Sequence, residues 1–298
     1  MSRSHVRIWV LGAPLLWGLV FVAVDRVLQY TDAFQLVTIR FFLISIIFSG
    51  LMIAFPKMRP TMTRRDWGLA WVAGLLAVPL SQLPIVSAQN FLDPTLASLI
   101  VTTSPAAAAI LAPIVLDEQV SMRQAMGFVL AFAGAAFVII IGAGESSFEL
   151  RDILGAAIGV ITPIAWAVYT ILLKRISSAD PFVTVGVGLT LGTVFLIPWI
   201  PSSIGVLGDI PLDGWIWMGY LAFVGTFLSY LIWFWALREL DASQTAAYMY
   251  LVPLFALGWS LIFLGSIPPI VTFAGGILIV IGVGLTQTKN PAFEEVAP

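Results

Sequence analysis

LVTIRFFLISIIFSG, residues 36–50, is an almost wholly apolar segment that carries one arginine, Arg40. With its apolar neighbours it runs from 33 to 55, long enough for a helix to cross a hydrocarbon core of roughly 30 Å. A guanidinium keeps its proton in proteins, so a span that contains this residue must accommodate a permanent charge. The segment therefore predicts a membrane helix and raises the question of what the charge contacts.

The composition of the whole chain agrees with a lipid environment. Of its 298 residues 60% are hydrophobic and only 10% are charged, whereas soluble domains carry roughly 25% charged residues. The absence of cysteine excludes disulfides, thiol catalysis and Cys-ligated metals, and the one histidine, His5, lies in the N-terminal tail. With a net charge of -2 and no basic patch, we expect no nucleic-acid partner, no cofactor and no metal.

Outward from residues 36–50, charges, prolines and glycines divide the chain into ten apolar stretches, each near the ~20 residues that a membrane helix needs. The stretches are 7–25, 33–55, 66–90, 94–116, 121–142, 152–174, 181–200, 214–237, 242–264 and 268–287. The first is interpreted as a retained helix, because no small-residue cleavage motif follows it. The sequence thus predicts an all-α membrane protein with ten transmembrane helices.

The distribution of basic residues predicts the orientation, because cytoplasmic loops of membrane proteins are enriched in Lys and Arg. With the N-terminus in the cytoplasm, eleven basic residues fall inside, two fall outside and Arg40 lies within a span. The inside set is Arg3, Arg7, Lys57, Arg59, Arg64, Arg65, Arg123, Lys174, Arg175, Arg238 and Lys289, and the outside pair is Arg26 and Arg151. We therefore expect both termini in the cytoplasm.

A shift of 148 residues aligns the second half of the chain with the first. It matches Asp32 with Asp180, Trp67 with Trp215, Ser81 with Ser229, Pro105 with Pro253, Gly127 with Gly275 and Gly134 with Gly282, and a shift of 149 matches PLLW (14–17) with PIAW (163–166). Each half, 1–147 and 148–298, holds five spans. Because five is an odd number, the second half must have the opposite orientation in the membrane. Inverted repeats are the architecture of secondary transporters; a duplicated scaffold without transport is the alternative.

Arg40 lies about seven residues, or ~10 Å, below the outer end of its span. A charge at that depth is by default a functional candidate that faces the bundle interior, although snorkelling to the outer surface is an alternative. Its repeat counterpart is Gly188, so the halves differ here. A substrate carboxylate or a structural lock on one gate would each explain the difference, and we favour the lock.

Aromatic and polar side chains at mid-span are the other candidates for a substrate cavity. Trp17 and Trp166 are repeat-related and deep, so they either line a cavity or pack between helices. Gln82, Ser98 and Thr102 lie on polar helix faces that should point inward, and they serve either the cavity or helix-to-helix contact. The aromatic candidates with polar handles are Tyr169, Tyr230 and Tyr248.

The small number of charged residues within the spans limits the candidate functions. No Asp or Glu lies clearly at mid-membrane, where a proton-driven carrier normally keeps one, so facilitated movement down a gradient is favoured. A single arginine is too little for a substrate with several phosphates; zwitterions fit better. The paired carboxylates, Ser/His set or metal cluster of an intramembrane enzyme are missing. A channel stays open as an alternative, and saturable flux with label exchange would exclude it.

Two motifs carry a family resemblance. WGLVFVAVDRVL (17–28) with TIRF (38–41), and the segment 104–139 that contains Glu118, resemble the ten-helix EamA-type members of the drug/metabolite transporter superfamily. The second half departs from the pattern, because Ser266 stands where a glutamate is usual. The resemblance implies that Glu118 is a structural or gating charge.

The same resemblance implies a multi-pass protein of the bacterial inner membrane that exports small metabolites. It is closest to amino-acid exporters, including the aromatic amino-acid branch. The expected partners are the lipid bilayer and a small-molecule substrate, with no obligatory protein partner. The alternative within the superfamily is a multidrug or cationic-compound exporter, which would need a mid-membrane carboxylate.

Overall fold

The computed structural model describes residues 3–55, 60–92, 94–116, 120–142, 150–176, 180–265 and 272–287. All regular secondary structure in these ranges is helical. Glu118 and Ser266 lie outside the described residues. The helices are α1 (Val6–Val27), α2 (Ala33–Ala54), α3 (Arg64–Ala88), α4 (Pro94–Val101), α5 (Ser104–Leu116), α6 (Met122–Gly142), α7 (Ile153–Arg175), α8 (Phe182–Gly205), α9 (Leu212–Glu239), α10 (Ala242–Phe263) and α11 (Thr272–Thr286).

Seven of these helices, α1 to α3 and α7 to α10, are long and apolar enough to cross a membrane. They coincide with seven of the ten predicted stretches. Large apolar side chains around the bundle, such as Ile46, Ile114 and Ile262, are 66%, 74% and 66% exposed, as expected of a surface in contact with lipid. The chain is therefore a multi-pass helical membrane protein, and ten crossings with both termini inside stay a prediction.

The predicted stretch 94–116 is not one helix. It divides into α4 and α5 at Thr102 and Thr103, because Pro105 has no N–H to donate to the carbonyl of Val101. That carbonyl instead accepts a hydrogen bond from the hydroxyl of Ser104 at 2.5 Å. A continuous helical pattern does not anticipate this break.

Repeat-related glycines hold α6 against α11. A methyl group on Gly127 would lie 2.7 Å from the carbonyl oxygen of Gly282, and one on Gly134 would lie 2.8 Å from that of Gly275. Because the earlier residue of α6 meets the later residue of α11, the two helices run antiparallel. Small residues permit this close backbone approach.

The first helix of each half packs on the fourth helical stretch of the other half. α1 lies against α10, and α7 lies against α5. At opposite ends of these pairs, Arg26 donates to the carbonyl of Phe263 at 3.3 Å, and Arg175 donates to that of Val115. Arg26 and Arg175 are 149 residues apart, whereas Val115 and Phe263 are 148 apart. The halves therefore interlock through equivalent contacts.

A buried pair of hydroxyls joins α2 to α8. The Oγ atoms of Ser45 and Thr193, residues 148 apart, lie 2.8 Å from one another. Since interhelical hydrogen bonds inside membrane proteins contribute about 0.6 and at most about 1.7 kcal/mol, we expect a coupling energy in that range between Ser45→Ala and Thr193→Val. A double-mutant cycle on thermal stability measures it. Strictly additive effects would show that the bond contributes nothing.

Candidate functional site

A cavity of about 60 Å³ lies among helices of both halves. Five of the predicted site residues line it: Trp17, Arg40, Gln82, Trp166 and Tyr230. The rest of the wall is formed by Val20, Phe21, Val24, Ser81, Ile85, Val86, Gln89, Val101, Thr162, Met249 and Val252. Small-molecule pockets usually measure roughly 300–1,000 Å³, so this cavity must widen to hold a metabolite.

Five aromatic side chains form a continuous cluster beside the cavity, here called the aromatic cluster: Trp17, Trp166, Tyr169, Tyr230 and Trp233. The ring centroids of the repeat-related Trp17 and Trp166 lie 5.3 Å apart in an edge-to-face arrangement. Trp166 also lies 5.1 Å from Tyr230 and 5.2 Å from Tyr169, and Trp17 lies 5.1 Å from Trp233. The two tryptophans thus line the cavity and pack between helices at once.

Arg40 is only 1% exposed, so it does not snorkel to the outer surface. Its Nε donates to the carbonyl of Leu221 at 3.1 Å and to the hydroxyl of Thr226 at 2.6 Å, both on α9. Its Nη1 donates to Oε1 of Gln82 on α3 at 3.2 Å. The arginine therefore connects α2 with α3 and α9, and within the described ranges it forms no ion pair.

Gln82 makes a further contact with the second half. Its Nε2 donates to the hydroxyl of Tyr230, its own repeat counterpart 148 residues away, at 3.3 Å. Like the pairs Trp17–Trp166 and Ser45–Thr193, this contact joins equivalent positions of the two halves. Equivalent positions of the two matching halves therefore lie against one another beside the cavity.

Both halves carry a π-helical turn at matching positions. The sequence analysis did not predict either turn. The turns are Leu76–Leu80 in α3 and Tyr220–Leu228 in α9. Within the α9 turn the carbonyl of Leu221 accepts from the Thr226 hydroxyl at 2.7 Å and from Nε of Arg40 at 3.1 Å. Pro79 inside the first turn was a usable signal, because proline removes a helix hydrogen bond.

Two buried polar atoms of the cavity wall have no hydrogen-bond partner in the described part of the chain. They are Nε1 of Trp166, a donor, and Oε1 of Gln89, an acceptor. A buried polar group without a partner costs about 1–3 kcal/mol. A ligand or water that bonded to these atoms would recover part of that free energy, so they are candidate contacts for a substrate.

The cavity is not centred between the halves. Its lining residues on α1 and α3 run toward the end of the bundle where residues 28–32 join α1 to α2, here called the first-loop end. The counterparts of Ile85, Val86 and Gln89 in the second half are Trp233, Phe234 and Leu237, and none of these three lines the cavity. The cavity wall therefore reaches further toward the first-loop end than toward the opposite end.

The profile of the EamA-like transporter family matches residues 6–140 and again residues 153–288. The chain belongs to this family. An uncharacterised transporter of Archaeoglobus fulgidus is 26% identical over 92% of this chain and 95% of its own length. A probable terminal-alkyne amino-acid exporter of Streptantibioticus cattleyicolor is 26% identical over 65% of this chain and 64% of its own length. A protein of known crystal structure, 18% identical, shares the fold with a TM-score of 0.77 over 96% of this chain and 97% of that one.

Membership of the EamA-like family confirms the predicted class of a membrane transporter and agrees with the expectation that the protein is not an enzyme. The special closeness to aromatic amino-acid exporters stays a prediction. The two matched segments correspond to the two halves that the 148-residue shift relates. They leave out residues 141–152, which contain the predicted boundary at 147 and 148.

Four predicted site residues of this EamA-like transporter lie off the cavity wall. Tyr169 contacts it only through the aromatic cluster, Ser98 and Thr102 are fully buried, and Tyr248 is 4% exposed on α10. Val101, the last residue of α4, is a wall residue, whereas Thr102, in the turn that follows, is not. Val20, Phe21 and Val24 were missed, although their spacing of three, four and seven residues from Trp17 places them near its helix face.

Proposed function

We propose that this EamA-like transporter exports amino acids, or neutral metabolites of similar size, across the bacterial inner membrane by alternating access. The main support is that repeat counterparts meet beside the cavity, Trp17 with Trp166 at 5.3 Å and Gln82 with Tyr230 at 3.3 Å. Two inverted halves around a shared site supply two conformations of opposite access. The cavity is then the substrate site, and lipid and substrate are the partners.

The proposed architecture has ten membrane helices in two inverted repeats, 1–147 and 148–298, with both termini in the cytoplasm. The antiparallel contact of α6 with α11 supports it, since an inverted repeat requires its equivalent helices to run in opposite directions. The close approaches of Gly127 to Gly282 and of Gly134 to Gly275 are themselves related by the repeat. The first-loop end would then face the periplasm.

The chemistry of the cavity wall supports a zwitterionic substrate. Arg40 supplies a permanent positive charge and Trp166 an unpartnered N–H, both suited to a carboxylate. Gln89 supplies an unpartnered carbonyl oxygen, which accepts from an ammonium group. The aromatic cluster offers apolar surface for a side chain. A relative named as a probable amino-acid exporter supports the same class.

A cationic-compound exporter is the second candidate, and the aromatic cluster favours it. Aromatic faces attract quaternary ammonium groups, and Trp17, Trp166 and Tyr230 all line the cavity. Arg40 opposes it, because a buried guanidinium repels a cation. We therefore rank this candidate below the amino-acid exporter.

Reconstitution in liposomes tests the substrate class. We expect saturable uptake and counterflow of labelled neutral amino acids, with little response to an imposed pH gradient, because no described mid-span carboxylate lines the cavity. Protein-free liposomes and a labelled quaternary ammonium compound are the controls. If the ammonium compound moved and no amino acid did, the second candidate would replace the first. Unsaturable flux without counterflow would indicate a channel.

A further inference from the structure

Two helix pairs that the repeat makes equivalent are built differently. At α3 and α8 the backbones touch: a methyl group on Gly74 would lie 2.7 Å from the nitrogen of Gly192, and the carbonyl oxygen of Gly188 is also in contact. The equivalent pair is α9 and α2. There the positions of Gly74, Gly192 and Gly188 are taken by Ala222, Ile44 and Arg40, which are all buried.

Arg40 fills the space that its glycine counterpart leaves open. It bonds to the Leu221 carbonyl and Thr226 hydroxyl of α9 at 3.1 and 2.6 Å. In the equivalent pair, α3 and α8, a Cβ at Gly188 would meet nothing within 4 Å. The position of Thr226 is taken there by Val78, which has no hydroxyl. Only one of the two equivalent pairs therefore has a charged side chain between its helices.

We propose that Arg40 sets the resting state of this transporter as a strut that keeps α2 and α9 apart, so that the cavity stays at the first-loop end. The proposal rests on the inverted repeat but not on the identity of the substrate. In such a repeat the opposite-facing state arises when the halves exchange conformations. α2 and α9 would then approach as closely as α3 and α8 do now.

That approach is opposed at two positions, Arg40 and Ile44. The guanidinium would have to leave Leu221, Thr226 and Gln82, and each hydrogen bond to a charged group contributes substantially to stability. Ile44 would also stand where Gly192 now permits backbone contact. Since a conformational equilibrium follows the difference in free energy between its two states, Arg40 favours the state with the cavity at the first-loop end.

Single introduced cysteines report the conformational state in the absence of substrate. The chain has no native cysteine that would also be labelled. Gln89→Cys lies on the cavity wall toward the first-loop end, where the native side chain is partly exposed. Leu237→Cys lies at the counterpart position 148 residues on, where the native side chain is fully buried. Maleimide labelling rates of the two variants, measured separately in nanodiscs, give a ratio of accessibility. We expect Cys labelling to be faster at position 89 than at 237.

Adding Arg40→Gly is expected to lower that ratio tenfold or more, because each 1.4 kcal/mol of lost bias is one factor of ten. Labelling should slow at position 89 and accelerate at 237. Arg40→Lys keeps the charge but only one nitrogen, and we expect a smaller change. Gly188→Arg inserts a side chain where Cβ has free space, so it should lower the ratio even with Arg40 present.

Arg26→Gly is the matched control, since Arg26 also donates to a backbone carbonyl, at 3.3 Å, but outside the cavity wall. It should leave the ratio unchanged. If Arg40→Gly accelerated labelling at both positions, it would have loosened the fold and the strut would be refuted. An unchanged ratio would refute it too. Failure of amino-acid transport would leave these rates unaffected, so the two proposals fail separately.

Discussion

Gly134→Leu is expected to abolish the folded transporter or to lower its melting temperature by several degrees or more. A Cβ at this position would lie 2.8 Å from both the carbonyl oxygen of Gly275 and the nitrogen of Ile279. Those atoms are backbone, so they cannot move aside as a side chain would. Overpacking in a well-packed interior costs about 1–3 kcal/mol and sometimes more. Thermal unfolding of the purified protein in detergent measures the effect.

Gly284→Leu supplies the matched control for that substitution. It makes the same change on α11, in the same helix pair, at a glycine whose Cβ would meet nothing within 4 Å. Leucine is a better helix former than glycine, so we expect no loss of stability there. Equal melting temperatures for the two variants would show that α6 and α11 do not pack as the structure has them.

Trp166→Ala is expected to reduce transport at least tenfold. The ring contacts four other members of the aromatic cluster, with centroid distances of 5.1 to 6.1 Å. Truncating a buried tryptophan to alanine costs about 3–5 kcal/mol, and it also removes the indole N–H from the cavity wall. Initial rates in liposomes, normalised to the amount of folded protein, separate loss of function from loss of stability.

Three further variants make the test specific. Trp17→Ala, the repeat counterpart, should also reduce transport. Trp166→Phe keeps an aromatic ring, so we expect it to retain the fold and to raise KM more than it lowers the maximal rate. Trp9→Ala removes a tryptophan that is 59% exposed and should change little. If Trp17→Ala and Trp166→Ala both kept full transport, the assignment of the cavity as the substrate site would be wrong.

The sequence by itself determined the membrane class and indicated the repeat, and it favoured an interior position for Arg40 while leaving the outer surface open as an alternative. These depend on quantities that a chain carries along its length: apolar content, spacing and the high cost of charge in lipid. The depth of Trp17 and Trp166 followed from the same counting. The sequence predicted that they either line a cavity or pack between helices, and in the structure they do both.

Only the tertiary structure decided which helix faces meet. Periodicity shows which residues share one face of a helix, but it does not show which neighbour that face meets. In the structure Val101, the last residue of α4, lies on the cavity wall, and Thr102 does not. The approach of α3 to α8 depends on Gly74 and Gly192 coming together from distant parts of the chain. Arg40 acquires its contacts with Leu221 and Thr226, 181 and 186 residues away, only after the halves have packed, because those contacts depend on distances between helices that no local pattern encodes.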